Sequence, residues 1–428
     1  MEQARGHREG AEQAYRAAIQ LGNLHPSVVD AYVGLAALLN QQDRSEEARA
    51  TLSDARDKLP DSPAIHKALG ELALTQGRYQ QAFDEYQQAL NLDPKDIGTK
   101  FQLGVVLRRD RKFDLAGKVF DEVAQVDRDL PGLALERGLL YEQSGRTEEA
   151  LKAYEAALAK APNDLDLMLK VGCGKVSSGR GKEAADLLRK VLLERADSAE
   201  TNHCLGRALL VEGKNLAEAE RMLERAVELD VNHPEYYLYV GWAANEAGHV
   251  AKADKALGKA IELDRGLADA YWQRGVLRAR QGAVRDAVSD FKKALELRPT
   301  RFEAHATLAD AYYDLGMEDQ AMLEWEQAVT ADGENATWQF RYGRLLVANR
   351  RDEAGRSHLS KAIELGQTAE PRPAWLWEAH HMLARALGKR PEAITHWEQF
   401  LRLGPHDSPY RAEAIAALKR LGRPWSGD

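Results

Sequence analysis

The chain has 428 residues, a formal net charge of −8 and a hydrophobic content of 44%. An acidic chain lacks the basic face with which proteins neutralise phosphate backbones, so we predict no nucleic-acid partner. It has no run of about 18 apolar residues, so we also predict no transmembrane helix. Two cysteines, Cys173 and Cys204, exclude a disulfide framework. We expect them to be small buried thiols in a reducing compartment, the cytoplasm.

A period of 34 residues organises the sequence from near its start. Glycine recurs at this spacing from Gly70 to Gly206, and an alanine followed four residues later by a large apolar residue recurs in a second register, as at Ala82 and Tyr86. A small residue lets a neighbouring helix approach closely, and a spacing of four places two side chains on one helix face. The pattern therefore predicts a helix, a tight turn, a second helix and a break in each unit.

Breaks between the predicted helices are marked by a second set of glycines and by prolines. Glycine accepts the left-handed conformation at the end of a first helix, as at Gly77 and Gly145, and proline cannot continue a second helix, as at Pro94 and Pro299. Each unit thus carries its own stop signals.

This pattern resembles the tetratricopeptide repeat (TPR), a family whose unit has 34 residues. In the second unit, the matching residues are Leu69, Gly70, Ala82, Tyr86, Ala89 and Pro94. The resemblance covers roughly residues 9–407. It implies an all-α fold, a right-handed solenoid of antiparallel helix pairs that forms a TPR superhelix.

The repeat register also divides the chain. Residues 1–26 are predicted to be a partial repeat, residues 27–369 ten tandem TPR units, residues 370–407 a degenerate eleventh unit after a proline-containing delay, and residues 408–428 a capping helix with a tail. A capping helix would cover the last apolar face of the stack. Because the chain begins inside a unit, we expect either a piece of a longer solenoid or a truncated cap.

Motifs for catalysis do not emerge from the sequence. Gly174 and Gly179 have the spacing of a phosphate loop, but the Lys-Ser or Lys-Thr pair is missing. Five histidines near the C-terminus suggest a metal site, yet exposed or half-buried helix histidines are the simpler interpretation, because adjacent His380 and His381 lie on different helix faces. We therefore predict no catalytic residue, no metal and no cofactor.

Function is then expected on the concave side, which the first helices of a solenoid line. The resemblance implies that other members bind peptides or partner proteins there, some through a Lys-Asn carboxylate clamp that is absent here. Apolar residues occupy several of these positions, and arginines gather near the tryptophans. The predicted partner-binding residues are Phe101, Val105, Leu135, Leu139, Leu169, Leu238, Trp242, Trp272, Val276, Phe340, Arg341, Arg344 and Arg385. A second interpretation, in which the apolar members belong to the core, stays open.

We predict a non-catalytic scaffold that binds a partner protein or peptide in its concave groove. The composition suggests a bacterial protein, and similar arrays occur in pilus, secretion and cell-polarity assemblies, where a small GTPase is one candidate partner. The alternative is a substrate-recruiting TPR arm of a larger enzyme. A third interpretation is a self-associating spacer.

Overall fold

The computed structural model describes residues 2–22 and 28–427, with side chains from residue 9 onward. That part of the chain contains 24 α-helices and no strand. It divides into two compact units, Met1–Ala196 and Asp197–Asp428. The predicted all-α class is confirmed.

The first unit contains eleven helices among its described residues. They are α1 (Glu2–Leu21), α2 (Val28–Gln41), α3 (Ser45–Lys58), α4 (Pro63–Thr75), α5 (Tyr79–Leu92), α6 (Ile97–Arg109), α7 (Phe113–Val126), α8 (Leu133–Gln143), α9 (Thr147–Lys160), α10 (Leu165–Ser177) and α11 (Gly181–Glu194).

The second unit contains thirteen helices in the part that the structure describes. They are α12 (Ala199–Glu212), α13 (Leu216–Leu229), α14 (Pro234–Glu246), α15 (Val250–Leu263), α16 (Ala268–Arg280), α17 (Val284–Leu297), α18 (Phe302–Asp314), α19 (Glu318–Ala331), α20 (Ala336–Ala348), α21 (Asp352–Thr368), α22 (Leu376–Leu387), α23 (Ala393–Leu403) and α24 (Arg411–Arg420).

Helices pack most extensively within pairs, such as α4 with α5 and α16 with α17. Within each unit, successive pairs also pack on one another, as α5 does on α6 and α17 does on α18. Each pair buries an apolar face that it cannot cover alone, so stacking completes the core. The predicted solenoid of antiparallel helix pairs is confirmed.

Contact between the two helices of a pair depends on the first-helix glycine. A Cβ atom added to Gly104 would lie 2.5 Å from Cε1 of Phe120, and one added to Gly275 would lie 2.5 Å from Cε1 of Phe291. Real Cβ atoms do not approach other atoms so closely. The aromatic ring of the second helix therefore rests directly on the backbone of the first helix.

Turns within the pairs follow the predicted glycine rule in most places. Gly145, for example, has a φ of +76°, the left-handed conformation that ends α8. In three other turns a residue with a side chain takes this conformation, namely Asp43, Arg111 and Arg350, with φ values of 59° to 60°. The left-handed turn is therefore retained where the glycine is lost.

Predicted boundaries between repeats stay a prediction, and the one between residues 26 and 27 lies outside the described residues. The delay at residues 367–373 begins as extra helix, because α21 has 17 residues where second helices such as α19 have 14.

The last helix, α24, buries Ala414 and Leu418 in a cluster with Trp397 and Phe400 of α23. None of the described helices is long and apolar enough to cross a membrane.

Candidate functional site

Four of the predicted partner-binding residues are buried in helix packing. They are Val105, Leu169, Leu238 and Phe340. Val105 is 5% exposed and belongs to a core cluster that also contains Leu133 of the next first helix. These four side chains therefore belong to the core, and the prediction that they face an open groove is corrected.

The other predicted residues keep part of their surface in solvent. The half-buried ones are Phe101, Leu135, Leu139, Trp242, Trp272, Val276 and Arg344, and the exposed ones are Arg341 and Arg385. In the first unit, Phe101, Leu135 and Leu139 pack against core clusters. The candidate site is therefore best sought on the first helices of the second unit.

Aromatic and arginine side chains link successive first helices there. We call this set the aromatic–arginine ladder. Its members are Arg207, Tyr239, Trp242, Trp272, Arg301, Asp310, Arg341, Arg344 and Trp375. Several of the helices that carry them touch one another, as α12 touches α14, α16 touches α18 and α20 touches α22.

A cation and two rings form the first part of the ladder, and a third ring, that of His203, contacts them. The Arg207 guanidinium lies 4.7 Å from the centroid of the Tyr239 ring, and the Tyr239 and Trp242 ring centroids are 5.6 Å apart. His203 contacts Tyr239 from a centroid distance of 5.0 Å. Burial, together with nearby Arg207, lowers the pKa of His203 to about 3, so its ring is neutral at pH 7.

We expect His203→Phe to make the protein less sensitive to acid. The pKa of His203 is about 3 in the folded chain against an ordinary value of 6.5, so between these values the unfolded chain binds the extra proton. Above pH 6.5, His203 therefore does not lower the free energy of unfolding. As the pH falls below 6.5, proton uptake by the unfolded chain lowers that free energy, by about 2 kcal/mol at pH 5. Phenylalanine does not titrate, so urea unfolding at pH 7 and pH 5 should differ by about 2 kcal/mol less in the variant.

The control for this experiment is His406→Phe, because His406 is exposed. That variant should keep the pH dependence of the natural sequence. If His203→Phe also keeps it, the neutral buried state of His203 is wrong.

Trp272 joins two neighbouring pairs. Its Nε1 donates a hydrogen bond of 3.2 Å to Oγ1 of Thr307 on α18, and the Arg301 guanidinium lies 4.0 Å from the centroid of its ring. Arg301 is in turn ion-paired with Asp269. The indole also packs against the core cluster that contains Phe291. Trp272 is therefore a structural residue with one exposed side.

Two arginines, one exposed and one half-buried, lie next along the ladder. Arg341 is ion-paired with Asp310, and Arg344 lies 3.7 Å from Glu378 and 5.7 Å from the centroid of the Tyr313 ring. The side chain of Arg341 is 43% exposed, so it can donate further hydrogen bonds to a carboxylate. This part of the ladder is the one most open to a partner.

Trp375, the last residue of the ladder, makes the same kind of hydrogen bond as Trp272. Nε1 of Trp375 donates a 3.3 Å hydrogen bond to Oγ1 of Thr337, and the Trp375 ring lies parallel to that of Phe340 at a centroid distance of 4.7 Å. The sequence reasoning missed both threonine acceptors. The available signal was a threonine on the adjacent first helix, about one repeat away from each tryptophan.

Histidines near the C-terminus pair with rings. Nδ1 of His380 lies 2.9 Å from Nδ1 of His396, and His381 stacks on Tyr410 at a centroid distance of 4.3 Å. Both His380 and His381 are buried, which corrects the expectation that they are exposed or half-buried. Burial and the neighbouring His396 lower the pKa of His380 to about 4, so it is neutral at pH 7. Within the described ranges, no group of three or more His, Cys, Asp or Glu residues could hold a metal ion.

The cysteines differ from expectation. Neither Cys173 nor Cys204 is a free thiol, so the prediction of two small buried thiols is wrong.

Comparison with known proteins gives matches in several segments. Profiles of the tetratricopeptide-repeat family match residues 2–63, 41–97, 132–164 and 278–324. The TPR repeat-containing protein YpiA of Bacillus subtilis (strain 168) is 25% identical over 172 residues, which are 40% of this chain and 41% of YpiA.

Two further relatives match over smaller parts of their own length. Cellulose synthase operon protein C of Pseudomonas fluorescens (strain SBW25) is 29% identical over 229 residues, 48% of this chain and 18% of that protein. Anaphase-promoting complex subunit 7 of Mus musculus is 37% identical over 71 residues, 17% of this chain and 12% of the subunit. The chain therefore matches less than half the length of each of these three relatives.

Solved structures with similar folds cover most of the chain. The human IFIT1 dimer with m7Gppp-AAAA has a TM-score of 0.56 at 19% identity, covering 86% of this chain and 94% of that one. The APC/C hetero-tetramer Cut9-Hcn1 has a TM-score of 0.50 at 14% identity, covering 98% and 94%. At these identities, the likeness concerns the fold alone.

Proposed function

Because this chain belongs to the tetratricopeptide-repeat family, we propose that it is a non-catalytic scaffold that binds a partner protein or peptide along the first helices of its second unit. The observation that carries the proposal is the aromatic–arginine ladder. Trp242 and Arg344 are half-buried and Arg341 is exposed, so rings and cations are presented together. Aromatic and arginine side chains are the ones enriched in interface cores and binding hot spots.

Charge indicates what a partner segment should offer. Arg341 and Arg344 have carboxylates nearby, Asp310 and Glu378, but Arg341 remains 43% exposed. A partner carboxylate would form charge-assisted hydrogen bonds with such a guanidinium, and an apolar side chain would cover Trp242. We therefore propose an acidic segment that also carries an apolar anchor.

The names of the relatives bear on the kind of assembly to which the scaffold would belong. Two of the three relatives described above are bacterial, and the third is by name a subunit of the anaphase-promoting complex. These names support a role in a multiprotein assembly, and we propose a bacterial pilus, secretion or cell-polarity assembly, with a small GTPase as one candidate partner. A cytoplasmic location is proposed from the low cysteine content, whereas the absence of a free thiol at Cys173 and Cys204 counts against it.

A second candidate is a substrate-recruiting arm of a larger enzyme. Its support is that the match to cellulose synthase operon protein C covers only 18% of that protein, so similar repeats occur within a much longer chain. On this proposal, the captured protein would be a substrate of a catalytic domain in the same assembly. Testing whether the captured protein is chemically altered in the host separates the two candidates.

Two substitutions in the ladder test partner binding. In pull-downs from the native host with quantitative mass spectrometry, Trp242→Ala and Arg341→Glu should each weaken capture of the main partner. The loss of a hot-spot residue costs about 2 kcal/mol, roughly thirtyfold in Kd. Titration of the identified partner then gives the change in Kd directly.

A matched control is Arg221→Glu, which makes the same charge change at an exposed position on the second helix α13. It should leave the Kd within about twofold, a negligible free-energy change. A partner whose binding is insensitive to both ladder variants, or equally sensitive to Arg221→Glu, would contradict the proposed site.

A further inference from the structure

We propose that a cavity at the C-terminal end of the second unit binds an organic acid, with a carboxylate held by cations and an apolar group against the aliphatic lining. The cavity has a volume of about 650 Å³ and is lined by residues of α22, α23 and α24 and the turns that follow α22 and α24. It shares no residue with the ladder. The inference goes beyond the proposed scaffold function.

Cations dominate the polar lining of the cavity. Three cations, Arg385, Lys389 and Arg420, line the cavity together with a single carboxylate, that of Glu413. Glu413 lies 3.2 Å from Nε of Arg385. Lys389 has no ion-pair partner among the described residues, and Arg420 donates only a 3.3 Å hydrogen bond to the carbonyl of Ala416 on its own helix. Two positive charges therefore remain without a counter-ion at one cavity, which favours an anion.

A buried donor in the cavity wall lacks an acceptor. Trp397 is 3% exposed and lines the cavity, and its Nε1 has no hydrogen-bond partner in the described part of the chain. An unsatisfied buried N–H costs free energy, and most such groups in proteins are paired. The indole that carries this N–H lines the cavity, so its NMR signal would respond to an anion bound there.

The remaining lining is apolar and sets the second half of the ligand. Ala384 and Ala417 are buried in this lining, and half-buried Leu421 keeps aliphatic surface accessible in the same cavity as the indole of Trp397. Inorganic anions would leave this surface in water, whereas an acid with an aliphatic chain would cover it. The shared chemistry is a carboxylate next to an apolar group, and it can come from a free organic acid or from an acidic side chain in a peptide.

A different explanation for the cations is that they stabilise helix ends. Arg385 lies in the last turn of α22 and Arg420 in the last turn of α24, where positive charge interacts favourably with the helix dipole. Arg402 occupies the same position in α23, is exposed and does not line the cavity. Arg402→Gln is therefore a matched control for Arg420→Gln.

The test follows the indole N–H signals of the full chain labelled with 15N-tryptophan. Hexanoate is the probe, and Trp397→Phe assigns the Trp397 signal. Hexanoate should shift that signal in a saturable manner and leave unchanged the signals of Trp272 and Trp375, whose N–H groups already donate to threonines. No saturable shift of the Trp397 signal would overturn the proposal.

The variants then separate a site from general electrostatics. Lys389→Gln and Arg420→Gln should each weaken hexanoate binding about tenfold, as expected for the loss of one charge-assisted hydrogen bond. Arg402→Gln should keep the Kd within about twofold. Equal weakening by Arg402→Gln would overturn the proposal, because it would show that only net charge matters.

Other probes define the ligand class and its source. Hexanol lacks the charge and inorganic phosphate lacks the apolar group, so both should bind at least about tenfold more weakly than hexanoate if each half of the ligand contributes. Equal binding of either would overturn the assignment to an organic acid. An N-acetylated, C-amidated Leu-Glu-Leu peptide carries the same carboxylate in a peptide. Tighter binding of the peptide than of hexanoate assigns the site to a peptide side chain, and weaker binding assigns it to a free acid.

Discussion

We expect Trp272→Ala to lower the free energy of unfolding by about 3 kcal/mol, and Trp242→Ala to lower it by only about 1 kcal/mol. Trp272 packs on a core cluster, donates a hydrogen bond to Thr307 and lies under the Arg301 guanidinium. Trp242, by contrast, is half-buried and stacks on Tyr239. Urea unfolding of the purified variants measures the difference, and no partner is needed.

Trp272→Phe is the matching conservative change. It keeps an aromatic ring beside Arg301 and removes the N–H donor, so it should cost about 1 kcal/mol. If Trp272→Ala and Trp242→Ala lower the free energy of unfolding equally, Trp272 does not stabilise the contact between neighbouring pairs more than a surface residue would. The sequence alone predicts the same behaviour for both tryptophans, because they occupy equivalent sides of their helices.

Gly138→Ala should destabilise the protein by about 3 kcal/mol, although alanine is the better helix former. An added Cβ at this position would lie 2.4 Å from Cε1 of Tyr154. To make room, the ring has to move, and its hydroxyl would lose the 2.6 Å hydrogen bond that it donates to Glu142. Thermal or urea unfolding of the single variant measures the cost.

Gly258→Ala provides the control within the same chain. Gly258 lies inside α15, and nothing lies within 4 Å of a Cβ added there. This substitution should stabilise the protein by about 0.5–1 kcal/mol, because glycine is a poor helix former. If Gly138→Ala also stabilises, the close contact between glycine and ring does not limit the packing of the pair.

The sequence predicted the fold well because each repeat carries its own signals. Glycine in the first helix and a large apolar residue in the second helix meet directly, as Gly104 and Phe120 do, so their spacing predicts a contact and not only a helix. Turns were predicted less well where Arg111 and Arg350 adopt the left-handed conformation. Arginine carries no signal for that conformation, which only the surrounding helix geometry imposes.

Which of the predicted site residues stay accessible could be inferred from the sequence only in part, and the reason lies in the neighbouring helix. Helical periodicity predicts which face of its helix a residue occupies. It does not predict which neighbouring element covers that face. Val105 is buried in a cluster that includes a residue of the next first helix, whereas Trp242, on an equivalent side, is only half-buried. The cavity near Trp397 could not be predicted at all, because its lining comes from three helices whose relative placement follows from packing.

Contact between glycine and ring has a consequence for how the chain unfolds. Each such contact joins residues half a repeat apart, as Gly275 and Phe291 are, so much of the core forms between near neighbours in the sequence. Local contacts favour rapid folding, and repeat proteins gain stability as a sum of terms between adjacent units. Cooperativity then extends over a few pairs at a time, and amide hydrogen exchange can differ from one pair to the next. A ligand at one pair would slow exchange mainly there and in the pairs that touch it.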